Sequence, residues 1–228
     1  MDRKRIPIKE GWFRLWYDMG AQSANGWDVF FDIFQRYCEP QRYYHDYSHV
    51  LQLLEEFKPV RQLCRNPNAV EMFLYTHDVI YIPGARDNEE RSAEFTCGEE
   101  RGILRHARVA KSFIQEVNRL ILLSKEHLTA KDDIDGCVSI DLDLSILGQP
   151  PLVFDGYEYK TRKEWVLTGV ASDEEFTHGR AEFLTKFLER KPIYCTPHFR
   201  AKYEKTARQN LRRSLKRLEQ ENTLLSPS

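Results

Sequence analysis

AVEMFLYTHDVIY, residues 69–81, is apolar on nearly every side once wound as a helix. Such a helix is stable only where other helices surround it, so this segment is expected at the centre of a helical core. It lies beyond Asn66-Pro67-Asn68 and is broken by Pro83-Gly84. Inside it stand His77 and Asp78. An ionised aspartate is costly to bury unless something pairs with it, and one neighbouring imidazole explains that cost poorly. A cation would explain it. So would a hydrogen-bonded core histidine beside an aspartate that merely marks the helix end.

Outward from this centre the apolar residues keep helical spacing and strict alternation is rare, so the chain reads as all-α. WDVFFDIFQRY, from Trp27 to Tyr37, carries an aromatic and aliphatic stripe closed by Pro40. Asp46 to Ser48 supplies N-cap side chains for a helix that bears Val50, Leu51, Leu53, Leu54 and Phe57 and stops at Pro59. After Pro83-Gly84, Asp87 or Asn88 caps NEERSAEFTCGEERG (88–102), and KSFIQEVNRLILLSKEHL (111–128) follows. IDGCVSIDLDLSIL (134–147) ends at Gly148 with Pro150-Pro151 beyond. The last third holds EYKTRKEWVLTGV (158–170), RAEFLTKFLERK (180–191) and a basic amphipathic segment from about Phe199 to Gln220, with ENTLLSPS (221–228) expected as a frayed tail. No repeat, low-complexity tract or linker interrupts the pattern, so residues 1–228 read as one domain with its core over about 12–211. Trp12, Phe13, Trp16, Phe30, Phe31 and Phe34 read as part of that core.

The 228 residues carry 34 Lys+Arg against 35 Asp+Glu, a net charge of −1, so no global attraction draws the chain to nucleic acid or to anionic membranes. The basic run 200–221 is interleaved with Glu and apolar residues, as on the solvated face of a packing helix. No stretch approaches the roughly 20 apolar residues that span a bilayer, and MDRKRIPIKEGWF contains no signal-peptide core, so the expectation is a cytoplasmic protein without membrane contact. Cys38, Cys64, Cys97, Cys137 and Cys195 are scattered, odd in number and form no CxxC pair, which points to reduced thiols.

Two further residues bear on His77-Asp78. His49 sits early in its helix beside Val50 and Leu53 and is expected to face the same core. On 134–147, Ile140, Leu144 and Leu147 form one stripe, and Asp143 points inward with them. Asp141 is turned by roughly 200 degrees from Asp143, so the two are not equivalent. Two imidazoles and two carboxylates from three helices are a donor set that binds a divalent ion and leaves positions open for water.

The order His, His-Asp, Asp resembles the HD superfamily of metal-dependent phosphohydrolases. RYYHDYSHVLQLL (42–54), LYTHDVIY (74–81), DNEERSAEF (87–95), IDLDLSILG (140–148), EYKTRKEW (158–165) and ARQNL (207–211) look like the successive motifs of one group of predicted HD phosphohydrolases of about this length. The likeness runs from about Trp12 to Leu211 and implies a helical bundle of HD type. It places metal ligands on His49, His77, Asp78 and Asp143, with Asp141 in reserve, which are the residues that burial had already selected.

Around that set, His45 is either a loop residue behind the ligands or, as the first half of His-x-x-x-His, a member of the site. Glu89 and Glu90 open a helix, where acidic residues favour the dipole; the resemblance implies that a carboxylate such as Glu89 holds or deprotonates the attacking water. His127 suits a helix C-terminus by charge and equally a pocket that contacts phosphate. Arg162 and Arg208 could each fork a phosphate or tie the last third to the core by an ion pair. The site expected is therefore Asp78 and Glu89 for catalysis, His49, His77, Asp78 and Asp143 for metal, and His45, His127 and Arg162 for substrate.

The reaction implied is hydrolysis of a phosphate ester or phosphoanhydride in a small nucleotide or related metabolite, through a water activated by one metal ion per chain. Imidazole with carboxylate suits Mn, Fe, Co, Ni or Zn better than Mg. A di-iron oxygenase on the same scaffold and a catalytically silent metal- or nucleotide-binding module are the competing readings.

Overall fold

A computed structural model of the chain describes residues 9–23 and 25–225. Among these residues there are eleven α-helices and no strand. In chain order they are α1 (Lys9–Asp18), α2 (Gly26–Tyr37), α3 (Tyr47–Phe57), α4 (Pro67–Thr76), α5 (Asn88–Cys97), α6 (Ile103–His106), α7 (Lys111–Leu123), α8 (Ile134–Asp143), α9 (Pro151–Val166), α10 (Asp173–Glu189) and α11 (Pro197–Leu225). The molecule is an all-α helical bundle, as the period of its apolar residues requires.

α4 is buried from Ala69 to Thr76 and packs against α1, α3, α5, α7 and α8, so it lies at the centre of the bundle. Its one carboxylate, Glu71, is compensated by the guanidinium groups of Arg61, at 2.6 Å, and Arg14. One apolar cluster continues from Trp12 to Leu218, and each large side chain fully buried in it contributes roughly 1.5–3 kcal/mol. Phe13 departs from the core expected of it and stands 39% exposed, stacked on Trp27 at 6.2 Å, while Phe31 is only partly buried. No single helix among the described residues is long and apolar enough to cross a membrane.

Helix ends depart from the sequence reading where distant side chains intervene. α4 stops at Thr76, so His77 is its C-cap and Asp78 lies in the following turn. Arg42 bonds the carbonyls beyond the helix end, donating to Asp78 O at 2.6 Å and to Val79 O at 3.0 Å. Ser92 bonds the backbone of Ile80 and Asn88 that of Ile82, each through both N–H and C=O. α5 ends at Cys97, and the short α6 follows Gly102. α7 ends at Leu123, leaving His127 in a tight turn with φ 50°.

α8 closes on Asp143 and tightens into a 3-10 turn, Leu144–Gly148. Pro151 then begins α9, several residues before the segment read from 158, because proline is well suited to the first helical position. A reciprocal Ser172–Glu175 capping box starts α10. α11 runs through Leu225, so the expected fraying from 221 does not occur within the described residues; 226–228 lie outside them. Several of its basic residues bond within the fold: Arg208 donates to Leu188 O, and Arg213 and Arg217 both pair with Asp155. The thiols are not all reduced. Cys137 of α8 and Cys195 before α11 form a disulfide, brought together with Cα atoms 5.3 Å apart by packing that no local Cys spacing encodes.

Candidate metal centre

Three elements deliver four side chains to one point. Asp46 caps α3 by accepting the Ser48 N–H at 2.8 Å, which fixes where the helix starts and sets His49 on its buried face. The end of α4 supplies His77 and Asp78, and the last residue of α8 is Asp143. His49 Nε2 and His77 Nε2 are 3.4 Å apart, and Asp78 Oδ2 lies 3.2 Å from the latter and 3.9 Å from the former. Asp143 Oδ1 is 3.5 Å from His49 Nε2 and 3.6 Å from His77 Nε2. Two donor atoms each about 2.1 Å from a shared ion stand roughly 3.0–3.4 Å apart at octahedral to tetrahedral angles. His49, His77 and Asp78, whose ligand atoms all lie within 4.8 Å of one another, could hold a metal ion, and Asp143 stands beside the two imidazoles outside that group. His77 also directs its Nδ1 to Phe73 O at 3.3 Å, which leaves Nε2 as the nitrogen with a free lone pair.

Charge in the cluster is strongly coupled. Burial pulls the His77 imidazolium down, but the carboxylates of Asp78 and Asp143 outweigh it and hold the group well above its ordinary value. Burial pushes Asp78 and Asp143 up, and the surrounding imidazoles, His77 for Asp78 and His127, His49 and His77 for Asp143, bring both below the usual carboxylate range. Asp141 does not join them. Fully buried, it accepts the N–H groups of Cys195 at 2.6 Å and Thr196 at 2.7 Å, and burial raises it to about 6.

A second ring of side chains holds the first. His127 Nε2 lies 2.9 Å from Asp143 Oδ2, and its turn is secured by Arg190, which donates to the carbonyls of Glu126 and His127. His45 Nδ1 lies 2.7 Å from Glu164 Oε2, with its ring stacked on Tyr81 at 4.0 Å. Glu164 is fully buried on α9, and its other oxygen accepts the backbone N–H groups of Tyr43, Tyr44 and His45 at 2.7–2.9 Å. Burial works against both charges of this pair, yet mutual attraction raises His45 and, with those N–H bonds, lowers Glu164. Residue-level reading gave Glu164 no role and passed over Arg42, although Phe154, Tyr157, Thr161 and Glu164 recur at helical spacing on the buried face of α9.

A cavity of ≈ 410 Å³ lies beyond this second ring: Tyr81, Glu89, His127, Trp165, Arg180 and Phe187 are among its walls, and none of His49, His77, Asp78 and Asp143 is. Glu89 is pushed up by burial and further by the charge of Asp78. Arg162 is not brought here: it pairs with Asp173 at 2.7 Å and Glu221 at 2.8 Å, on the side of α9 that meets α10 and α11, and is absent from the cavity walls. No family model, curated protein sequence or solved structure matches this chain.

Proposed function

We propose that this chain is a metal-dependent phosphohydrolase of the HD type, acting on a phosphate ester or phosphoanhydride of a small metabolite. The observation that carries the reading is the convergence of His49 Nε2, His77 Nε2 and Asp78 Oδ2 within 3.9 Å of one another, with Asp143 alongside. These residues would hold the ion, and their mixture of imidazole and carboxylate favours Mn, Fe, Co, Ni or Zn over Mg. When bound, such an ion supplies Lewis acidity toward a phosphoryl oxygen and lowers the pKa of water.

The chain's own groups divide the proton work. Asp78 orients the attacking water by accepting one of its hydrogens. Glu89, raised above the ordinary carboxylate value, is suited to receive the proton that the water gives up. The departing oxygen needs a proton, and His45, whose Nδ1 is engaged by Glu164 and whose charged form is favoured there, is suited to give it one. His127 keeps the Asp143 carboxylate in place through their 2.9 Å contact.

The test is a screen of phosphorylated metabolites and nucleotides with Mn, Co, Ni and Mg, reading phosphate release, with Asp78→Ala as the blank. Release that disappears in the blank supports the assignment. Release undiminished by Asp78→Ala would overturn it.

A further inference from the structure

The cavity beside the metal centre has a composition that bears on what the reacting phosphate is attached to. Five aromatic side chains line it: Tyr81, Trp165, Phe176, Phe183 and Phe187. Three of them are held by neighbouring rings: Tyr81 lies against His45, Phe187 against His127 at 5.7 Å, and Phe183 against Phe187 at 4.8 Å. Thus the apolar wall begins where the metal centre's second ring ends. Gly84, Ala85 and Gly179 complete the walls with little or no side chain, and a Cβ built on Gly179 meets nothing within 4 Å.

The cations in the same walls are already engaged. Lys125 is bonded to Glu90, Lys186 to Glu126 at 2.8 Å, and Arg180 to Glu158 at 2.6 Å. Arg180 further lies over the rings of Tyr157 at 4.8 Å and Phe183 at 4.6 Å, so its guanidinium face is covered as well. Glu89, Glu126 and Glu175 line the cavity and balance the three cations in sign. A polyphosphate chain or a second anionic group would find no excess positive charge here: the exposed Lys125 and Lys186 pairs would offer only weak contacts, and the buried Arg180 would have to give up Glu158. A flat uncharged ring would displace water from aromatic surface and needs no such exchange.

We infer that this cavity seats an uncharged, planar aromatic group carried by the ester side of a phosphomonoester, and that it discriminates against polyphosphates and substrates with a second anion. The inference deepens the hydrolase reading and takes from it only the position of the phosphate at the metal centre.

The experiment is calorimetry of the full chain with added Mn, using three non-hydrolysable probes. These are 1-naphthylmethylphosphonate, methylphosphonate and 3-phosphonopropionate, which carries a carboxylate where the first has a ring. The naphthyl compound is expected to bind at least about tenfold more tightly than either of the others, from the area and stacking of one ring system. Phe183→Ala removes part of that surface, and Gly179→Leu fills open space on α10 while improving helix propensity, so it keeps the fold. Both variants are expected to lose most of the naphthyl advantage. Equal binding of the three probes, tighter binding of 3-phosphonopropionate, or a naphthyl advantage that survives both substitutions would overturn the inference. Phosphate release is read separately on 1-naphthyl phosphate. A naphthyl advantage that is intact and lost in both variants, with no release, would sink the hydrolase reading and leave the cavity's preference for an aromatic group supported.

Discussion

Asp141 and Asp143 are both carboxylates at the end of α8, yet they serve different partners. Asp143 meets three imidazoles, and Asp141 meets two backbone N–H groups of the segment before α11. Asp143→Asn is therefore expected to abolish Mn or Zn uptake, whereas Asp141→Asn retains uptake and lowers the melting temperature; metal analysis and thermal melts of the two proteins separate them. Equal metal content in both would exclude Asp143 as a ligand. A pH signature belongs to His45 and Glu164. Glu164 is lowered in the fold, so its contribution to stability is present above its ordinary value of about 4.3 and is lost as pH falls through the folded value. His45 is raised, so its contribution is complete below about 6.5 and is lost as pH rises through the folded value. The pair contributes most between those limits. Glu164→Gln keeps an oxygen for the three N–H groups and removes the charge, so the stability lost should be largest between about pH 4.5 and 6.5, as read from melting temperatures against pH. The clustering of His49, His77, Asp78 and Asp143 was legible because imidazole or carboxylate on an apolar helix face demands compensation. Glu164 was not, because its partner His45 lies 119 residues away and no local pattern joins them.

At the scale of elements, helices whose limits are set by their own residues were read well, and those limited from elsewhere were not. Asp46 starts α3 by a local bond, visible in Asp-x-Ser. By contrast, the turn after α4 is held by Arg42, Asn88 and Ser92, none of which a local reading of AVEMFLYTHDVIY includes. The disulfide is the same kind of case: its cysteines are separated by 58 residues and meet where Asp141 of α8 accepts the N–H groups of Cys195 and Thr196, in the segment before α11. Closing so long a loop restricts the unfolded chain, and its loss is expected to cost about 2–4 kcal/mol. Urea denaturation with and without dithiothreitol should show that difference, and Cys195→Ser should show it without reductant. Identical midpoints under all three conditions would mean that the bond does not form in solution.

On the scale of the whole molecule, the candidate metal centre is where separate parts of one continuous core converge. His49 comes from α3, His77 and Asp78 from the end of α4, and Asp143 from α8, so any opening that separates these helices dismantles the site. A cation that binds the assembled site and not the unfolded chain stabilises the fold by mass action, about 2.7 kcal/mol when its free concentration is 100 times Kd. For a chain of this size each kcal/mol moves the midpoint by about 2–4 °C, so chelation should lower Tm by about 5–10 °C. Because His77 takes up a proton in the bare centre, ion and proton compete, and the gap between loaded and chelated protein should narrow as pH falls. Asp143→Asn should melt at one temperature with or without chelator. Scanning calorimetry of the native chain and this variant, each with Mn and with chelator, decides the matter: a native chain indifferent to chelation would leave two buried imidazoles and two carboxylates facing one another with only protons between them, and the proposed centre would fall with that result.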